Sequence, residues 1–124
     1  MSGAQLDARV EAAFNAMGDP IRRRILERLR DGPSPVGELA ARLPVGRPAV
    51  SKHLKVLEGA GLVEHRSHGT RNLYALAPDG LAPLQRWLVG VWDTALLAFA
   101  DRVAERAGRD AGTDRQHRTE KTAS

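Results

Sequence analysis

Gly46-Arg47-Pro48-Ala49-Val50-Ser51-Lys52-His53-Leu54-Lys55-Val56-Leu57-Glu58-Gly59-Ala60-Gly61-Leu62 decides the fold. Val50, Leu54 and Leu57 fall at i, i+4 and i+7 and make one apolar stripe on a helix. At about 100° per residue, Pro48, Ser51, Lys52 and Lys55 swing to the far side, with Arg47 at the leading edge. Pro48 suits a first helical turn, where its missing N–H is not needed. Gly59 and Gly61 supply the stop. A helix buried by one face, with Arg, Ser and Lys on the other, has the makings of a reading head for a nucleic-acid groove. Taken alone, the stretch is equally well an ordinary amphipathic helix with a solvated basic face.

Its surroundings tip the balance. Upstream, Leu6, Val10, Ala13, Phe14 and Met17 keep helical spacing, and Gly18 ends that first helix. Asp19-Pro20 opens a second, with an N-cap followed by Pro at the first helical position. Ile21, Ile25, Leu26 and Leu29 form its inner stripe, while Arg22, Arg23, Arg24 and Arg28 spread over the outside. After Asp31-Gly32-Pro33, Ser34 is placed to cap a third helix with Val36, Leu39, Ala40 and Leu43 inside; Ser34 to Glu38 approximates a capping box. Pro44-Val45-Gly46 connects it tightly to the opening helix, a helix-turn-helix arrangement. Downstream, Leu62–Ser67 and Arg71–Leu76 read as two strands, with His68-Gly69-Thr70 as their turn. A hairpin directly after the helix pair is a wing.

Ala77-Pro78-Asp79-Gly80 reads as a turn, and Leu81 to Ala107 as a long fifth helix with Gly90 as its weak point. Its apolar stripe is too broad for one small core. The spacing predicts a homodimer interface built from Leu6, Val10 and Phe14 of the first helix with Leu84, Leu88, Trp92 and Phe99 of the last. The expected class is mainly α with a small β-hairpin wing: four helices, a hairpin and a fifth helix. The expected division is a frayed 1–5, a winged helix-turn-helix domain over 6–107 and a disordered tail over 108–124.

Charge distribution points the same way. The net charge of the 124 residues is only +4, but residues 20–75 hold eleven Arg and Lys against five acids. That excess surrounds the opening helix, as expected of a polyanion binder. Arg66, His68, Thr70 and Arg71 cluster at the wing tip, and Lys55 joins them as a candidate phosphate contact. There are no cysteines, hence no disulfide framework and no thiolate metal site. That composition suits the cytoplasm. No apolar run approaches a membrane span, and the first residues do not resemble a signal peptide.

Phe14-Asn15-Ala16-Met17-Gly18-Asp19-Pro20-Ile21-Arg22-Arg23-Arg24-Ile25-Leu26 resembles the opening of the ArsR/SmtB-type (arsenic-repressor) winged-helix regulators. Arg47 to Leu57, with Ala60-Gly61-Leu62-Val63, is similar to their reading-helix signature. Gly69-Thr70-Arg71 with Tyr74-Ala75-Leu76 is similar to their wing. The resemblance covers about Ala12 to Phe99. It implies a prokaryotic homodimeric repressor on double-stranded DNA, each reading helix in a major groove of an inverted repeat. The positions implied for groove contact are Arg47, Ser51 and Lys52, with Pro48 among them. Arg47 is suited to guanine O6 and N7.

The departures are informative. Metal sensors of the family carry Cys-x-Cys early in the third helix, where this chain has Pro35 and Gly37. Others place Asp and His ligands on the last helix, and residues 81–107 contain no histidine. His53, His65, His68 and His117 are scattered, so neither a metal nor another cofactor is expected. The paired tryptophans Trp87 and Trp92 resemble a cysteine-free subgroup. They are either core or the lining of a pocket for an unknown small-molecule inducer. An enzyme is not expected: Ser51 and His53 at i and i+2 do not face each other on a helix. Two alternatives stand beside the repressor. One is a winged-helix module for protein or RNA contact, which would replace the polar reading face by apolar residues. The other is a MarR-type small-molecule-responsive regulator, against which the short first helix argues.

Overall fold

The computed structural model describes the backbone of residues 3–123 and the side chains of residues 3–110. The elements in order are α1 (Gly3–Met17), α2 (Pro20–Leu29), β1 (Ser34–Pro35), α3 (Val36–Ala41), α4 (Arg47–Gly59), β2 (Val63–His68), β3 (Arg71–Leu76) and α5 (Pro78–Ala123). The chain divides after Trp87 into two units.

In the first unit, the α1–α2 corner is built by Asp19. Its backbone is extended, and its carboxylate accepts the N–H groups of Ile21 at 2.8 Å and Arg22 at 3.2 Å. This is the N-cap expected from Asp19-Pro20, satisfying donors that a helix start leaves orphaned. Those bonds, that from Arg22 foremost, hold the carboxyl below the usual carboxylate range. Since the folded value is depressed, the cap stabilises the fold above the ordinary carboxylate pKa and is lost as pH falls through the folded value. Asp19→Ala is therefore expected to lower the thermal midpoint at neutral pH, and the gap from wild type to close in strong acid. A gap constant from neutral pH to strong acid in circular-dichroism melts would contradict this.

The core of this unit draws on all five helices and on β2. Ala13 and Ala16 of α1, Ile25 and Leu29 of α2, Leu39 of α3, and Val50, Leu54 and Leu57 of α4 are buried together with Leu62, Val63 and Leu84. The α4 stripe is the expected one, all three residues fully buried. Each such side chain contributes about 1.5–3 kcal/mol on burial. α4 stops at a Schellman motif: Leu62 N–H donates to Leu57 C=O at 2.9 Å and Gly61 N–H to Glu58 C=O at 3.0 Å. Gly61 has φ 79, a conformation that costs glycine nothing.

The sheet has three strands in the order β1-β3-β2, antiparallel throughout. The hairpin was expected; β1 was not. It is two residues long, Ser34 opposite Tyr74 and Pro35 opposite Leu73. Pro is tolerated on an edge strand because it need not donate. Ser34 is therefore a strand residue rather than a helix cap. α3 starts from Pro35 with no side-chain cap, and the approximate capping box does not form. The wing turn is Gly69-Thr70, between the paired His68 and Arg71. Gly69 alone has positive φ, 66°, as a type II′ turn requires.

α5 departs from expectation at both ends. Ala77–Gly80 is not a free turn: the helix starts at Pro78, and Leu81 N–H reaches Ala77 C=O at 3.0 Å. Pro at the first position explains why the segment looked like a turn. Pro83 lies inside the helix, a second weak point beside Gly90. The helix also runs past residue 107 to Ala123, so the backbone over 108–123 is helical, as it is over 3–5. Residues 1, 2 and 124 and the side chains of 111–124 lie outside the described residues. In the second unit, the helix from Leu88 exposes Leu88, Val91, Trp92, Leu96 and Phe99. Among the described residues no helix is long and apolar enough to cross a membrane.

Candidate nucleic-acid interface

The burial of Val50, Leu54 and Leu57 fixes where the rest of α4 points. Arg47, Pro48, Lys52 and Lys55 are exposed, Ser51 and His53 half-buried at opposite edges. Val56, four residues after Lys52, is also on the open side and 45% exposed. It was not among the reading-face residues expected from the sequence, yet its apolar surface suits a thymine methyl group. Gly46 occupies the N-cap and no side chain caps α4.

The wing tip comes to the start of this helix. Arg47, Thr70, Arg71 and Asn72 line one cleft of about 260 Å³ with Pro35, Val36 and Gly37. A Cβ added at Gly37 would meet the Arg47 guanidinium at 3.9 Å, so Arg47 lies over the start of α3. Arg71 stands 3.9 Å from Glu38, both side chains mostly exposed. A surface pair of this kind is worth little and exchanges readily for a phosphate. Arg66 and His68 are exposed on β2. They border a different cleft, on the side of Pro33 and Leu73, and do not share the one that holds Arg47.

The far end of α4 is tied to the wing. Glu58 pairs with His65 Nδ1, and the His65 ring lies 5.3 Å from that of Tyr74. Burial, and secondarily the Glu58 carboxylate, push the Tyr74 hydroxyl above its ordinary value. His65 is thus a strut between reading helix and wing. Sequence spacing does not show this, because Glu58 and His65 meet only once the chain has turned at Gly61.

His53 is the other edge residue. It stands on the side of α2, with its Nδ1 3.5 Å from an Arg22 guanidinium nitrogen. Among the described residues no group of three or more His, Cys, Asp or Glu is placed to hold a metal ion.

The expected dimer residues fall into three environments. Leu84 is buried in its own core at 5% exposure, and so is spent inside the protomer. Leu6 and Val10 are half-buried, while Phe14 is exposed and meets the Trp87 ring edge-on at 5.0 Å. Leu88, Trp92 and Phe99 are exposed in the second unit, Trp92 by 63% and Phe99 by 64%.

Comparison with known proteins agrees with this geometry. A family model described as a helix-turn-helix domain matches residues 17–66. The HTH-type transcriptional regulator Rv2034 of Mycobacterium tuberculosis is 52% identical over 93 residues, covering 75% of this chain and 87% of that protein. The transcriptional repressor SdpR of Bacillus subtilis is 30% identical over 76 residues, covering 61% and 84%. Among solved structures, a homodimeric winged helix-turn-helix DNA-binding domain of Mycobacterium bovis, a possible ArsR-family regulator, superposes with a TM-score of 0.60. It is 31% identical, with 75% of this chain and 91% of that one covered. With two sequence motifs, the helix order and a three-stranded wing all in agreement, the chain belongs to the ArsR/SmtB family of winged helix-turn-helix transcriptional regulators, which bind DNA and are not enzymes.

Proposed function

We propose that the chain is a homodimeric repressor that seats two copies of α4 in successive major grooves of an inverted-repeat operator. The single observation carrying this is the convergence of Arg47 with Thr70 and Arg71 in one cleft, beside the exposed Pro48, Lys52 and Lys55. A reading helix flanked by a basic wing lets base edges and backbone be contacted together. Ser51, Lys52 and Arg47 act on base edges, with Pro48 against the groove wall. Lys55, Thr70 and Arg71 act on phosphates, and Arg66 and His68 extend that contact along the wing. Repression is supported by relatives such as the repressor SdpR. A homodimer is supported by the homodimeric structural neighbour and by the apolar faces of Phe14, Leu88, Trp92 and Phe99. Leu6 and Val10 of α1 are assigned to the same role. Work on DNA places the protein in the cytoplasm.

Nuclease footprinting on the DNA upstream of the chain's own gene tests the whole reading. The expected result is two protected half-sites about one helical turn apart. Protection of a single half-site, or none above that of random DNA, would refute the dimeric operator reading. Arg47→Ala is expected to cost about 1–3 kcal/mol of binding and to relax selectivity at one base pair. Equal weakening on all duplexes would instead assign Arg47 to the backbone with Arg71.

A further inference from the structure

Arg22 and Arg23 were expected on the solvated outside of α2. Both instead turn back onto the end of α1. Arg22 donates from Nε to the Ala16 carbonyl and from Nη2 to that of Asn15 at 3.3 Å. Arg23 donates from Nη1 to the Met17 carbonyl at 2.7 Å. The last carbonyls of a helix have no intrahelical partner, and cations are favoured there by the helix dipole. Arg23 stops at that task. Arg22 goes further: its remaining terminal nitrogen, Nη1, lies 3.5 Å from His53 Nδ1 on α4. One planar guanidinium therefore bridges the end of α1 to the reading helix. Lysine cannot reproduce this, because a single ammonium has no fork to span three acceptors.

His53 sits at the boundary between the buried stripe of α4 and its open face. A contact at that position opposes rotation of α4 about its own axis. Rotating a helix by about 20° carries a side-chain tip, roughly 6 Å from the axis, through about 2 Å. Hydrogen bonds to base edges do not survive such a shift, since their length varies by only about 0.5 Å. A long lysine on a phosphate follows it easily. Rotation of α4 thus separates specificity from affinity.

We propose that Arg22 is a positioning residue for DNA reading: through His53 it sets the rotation of α4 against the end of α1. This rests on α4 being the groove reader. The chain, Arg22→Lys, His53→Ala, His53→Gln and the double variant Arg22→Lys/His53→Ala are each titrated onto the footprinted duplex and onto a random duplex of equal length. Thermal midpoints and salt slopes are measured alongside. Arg22→Lys keeps the charge and is expected to lower the ratio of specific to random affinity about tenfold, a size usual for coupling between sites. Random-duplex affinity and salt slope stay within about twofold. His53→Ala lowers the ratio similarly, and His53→Gln, whose amide oxygen still accepts, restores most of it. The double variant is no worse than either single one, because both remove the same contact.

An unchanged ratio in both Arg22→Lys and His53→Ala overturns the proposal. So does equal loss on both duplexes, which marks a charge or folding effect, or a double-variant loss equal to the product of the single losses. If Arg22→Lys does not fold, the two His53 variants decide the matter. A wild-type chain without preference for the footprinted duplex overturns the groove-reader reading itself. Wild-type preference retained in the variants overturns only the positioning role.

Discussion

Gly80→Ala is expected to destabilise the protein by about 3 kcal/mol, the upper end of the usual cost of overpacking. Gly80, in the first turn of α5, abuts the Schellman turn that ends α4. A Cβ built there overlaps the Gly61 carbonyl oxygen and stands 2.6 Å from the carbonyl carbon and 3.2 Å from Cα. These are backbone atoms, so no side chain can rotate away. Gly61 is held by its positive φ and by the hydrogen bond to Glu58, and Ala77 N–H ties the start of α5 to the Leu62 carbonyl at 3.0 Å. Either α5 moves off its seat or the stop of α4 deforms. For a domain of this size the loss corresponds to a fall in thermal midpoint of roughly 10–20 °C. Gly61→Ala is expected to cost less, about 1–2 kcal/mol, since it only forces a side chain into the left-handed region. A Gly80→Ala midpoint within a degree or two of wild type would show that the two backbones do not abut.

The second large effect is on DNA affinity. If Lys55, Arg66 and Arg71 each neutralise one phosphate, a dimer releases about six counterions, and log Kobs falls against log salt with a slope of about −5. Raising salt from about 50 to about 200 mM then weakens binding roughly a thousandfold. Lys55→Ala, which removes one contact per protomer, brings the slope toward about −3.6 and weakens specific and random duplexes alike. Filter binding or fluorescence anisotropy across a salt series measures both. A slope shallower than about −2, or a Lys55→Ala effect confined to one sequence, would remove these residues from the phosphate contacts.

Much of this architecture is legible in the sequence because it is local. The stripe of Val50, Leu54 and Leu57 follows from helical period alone, and all three are fully buried. Asp19 caps α2 with bonds to residues two and three positions ahead. Gly69 is needed where the wing turns, between strands paired over only a few residues. The polar side of α4 is legible for the same reason: once three residues are pinned inside, the positions of Lys52 and Lys55 follow from geometry.

Other features depended on segments distant in the chain. β1 is two residues, one of them Pro, and acquires strand character only from Tyr74 and Leu73 opposite. Ser34 looked like a cap because short polar residues before a helix usually are, but pairing with β3 claimed it first. Leu84 and Leu88 share one stripe, yet Leu84 is spent on its own core while Leu88 is 46% exposed. No periodicity distinguishes them, because the choice depends on what lies opposite. The Glu58–His65 strut, the Gly61–Gly80 approach and the Arg22 bridge to His53 likewise join residues that meet only after the chain has turned.

What the sequence by itself determined is the inner stripe of α4, the Asp19 start of α2, the glycine stop of α4 and the glycine of the wing turn, and hence the winged helix-turn-helix class. Periodicity, capping and positive-φ glycine act over a few residues, so the order of amino acids suffices. What only the tertiary structure decided is what the reading helix meets: Arg22 of α2 beside His53, His65 of the wing against Glu58, and Gly80 of α5 against Gly61. Those contacts are set by distances between surfaces packed on a common core, and linear spacing carries no measure of them.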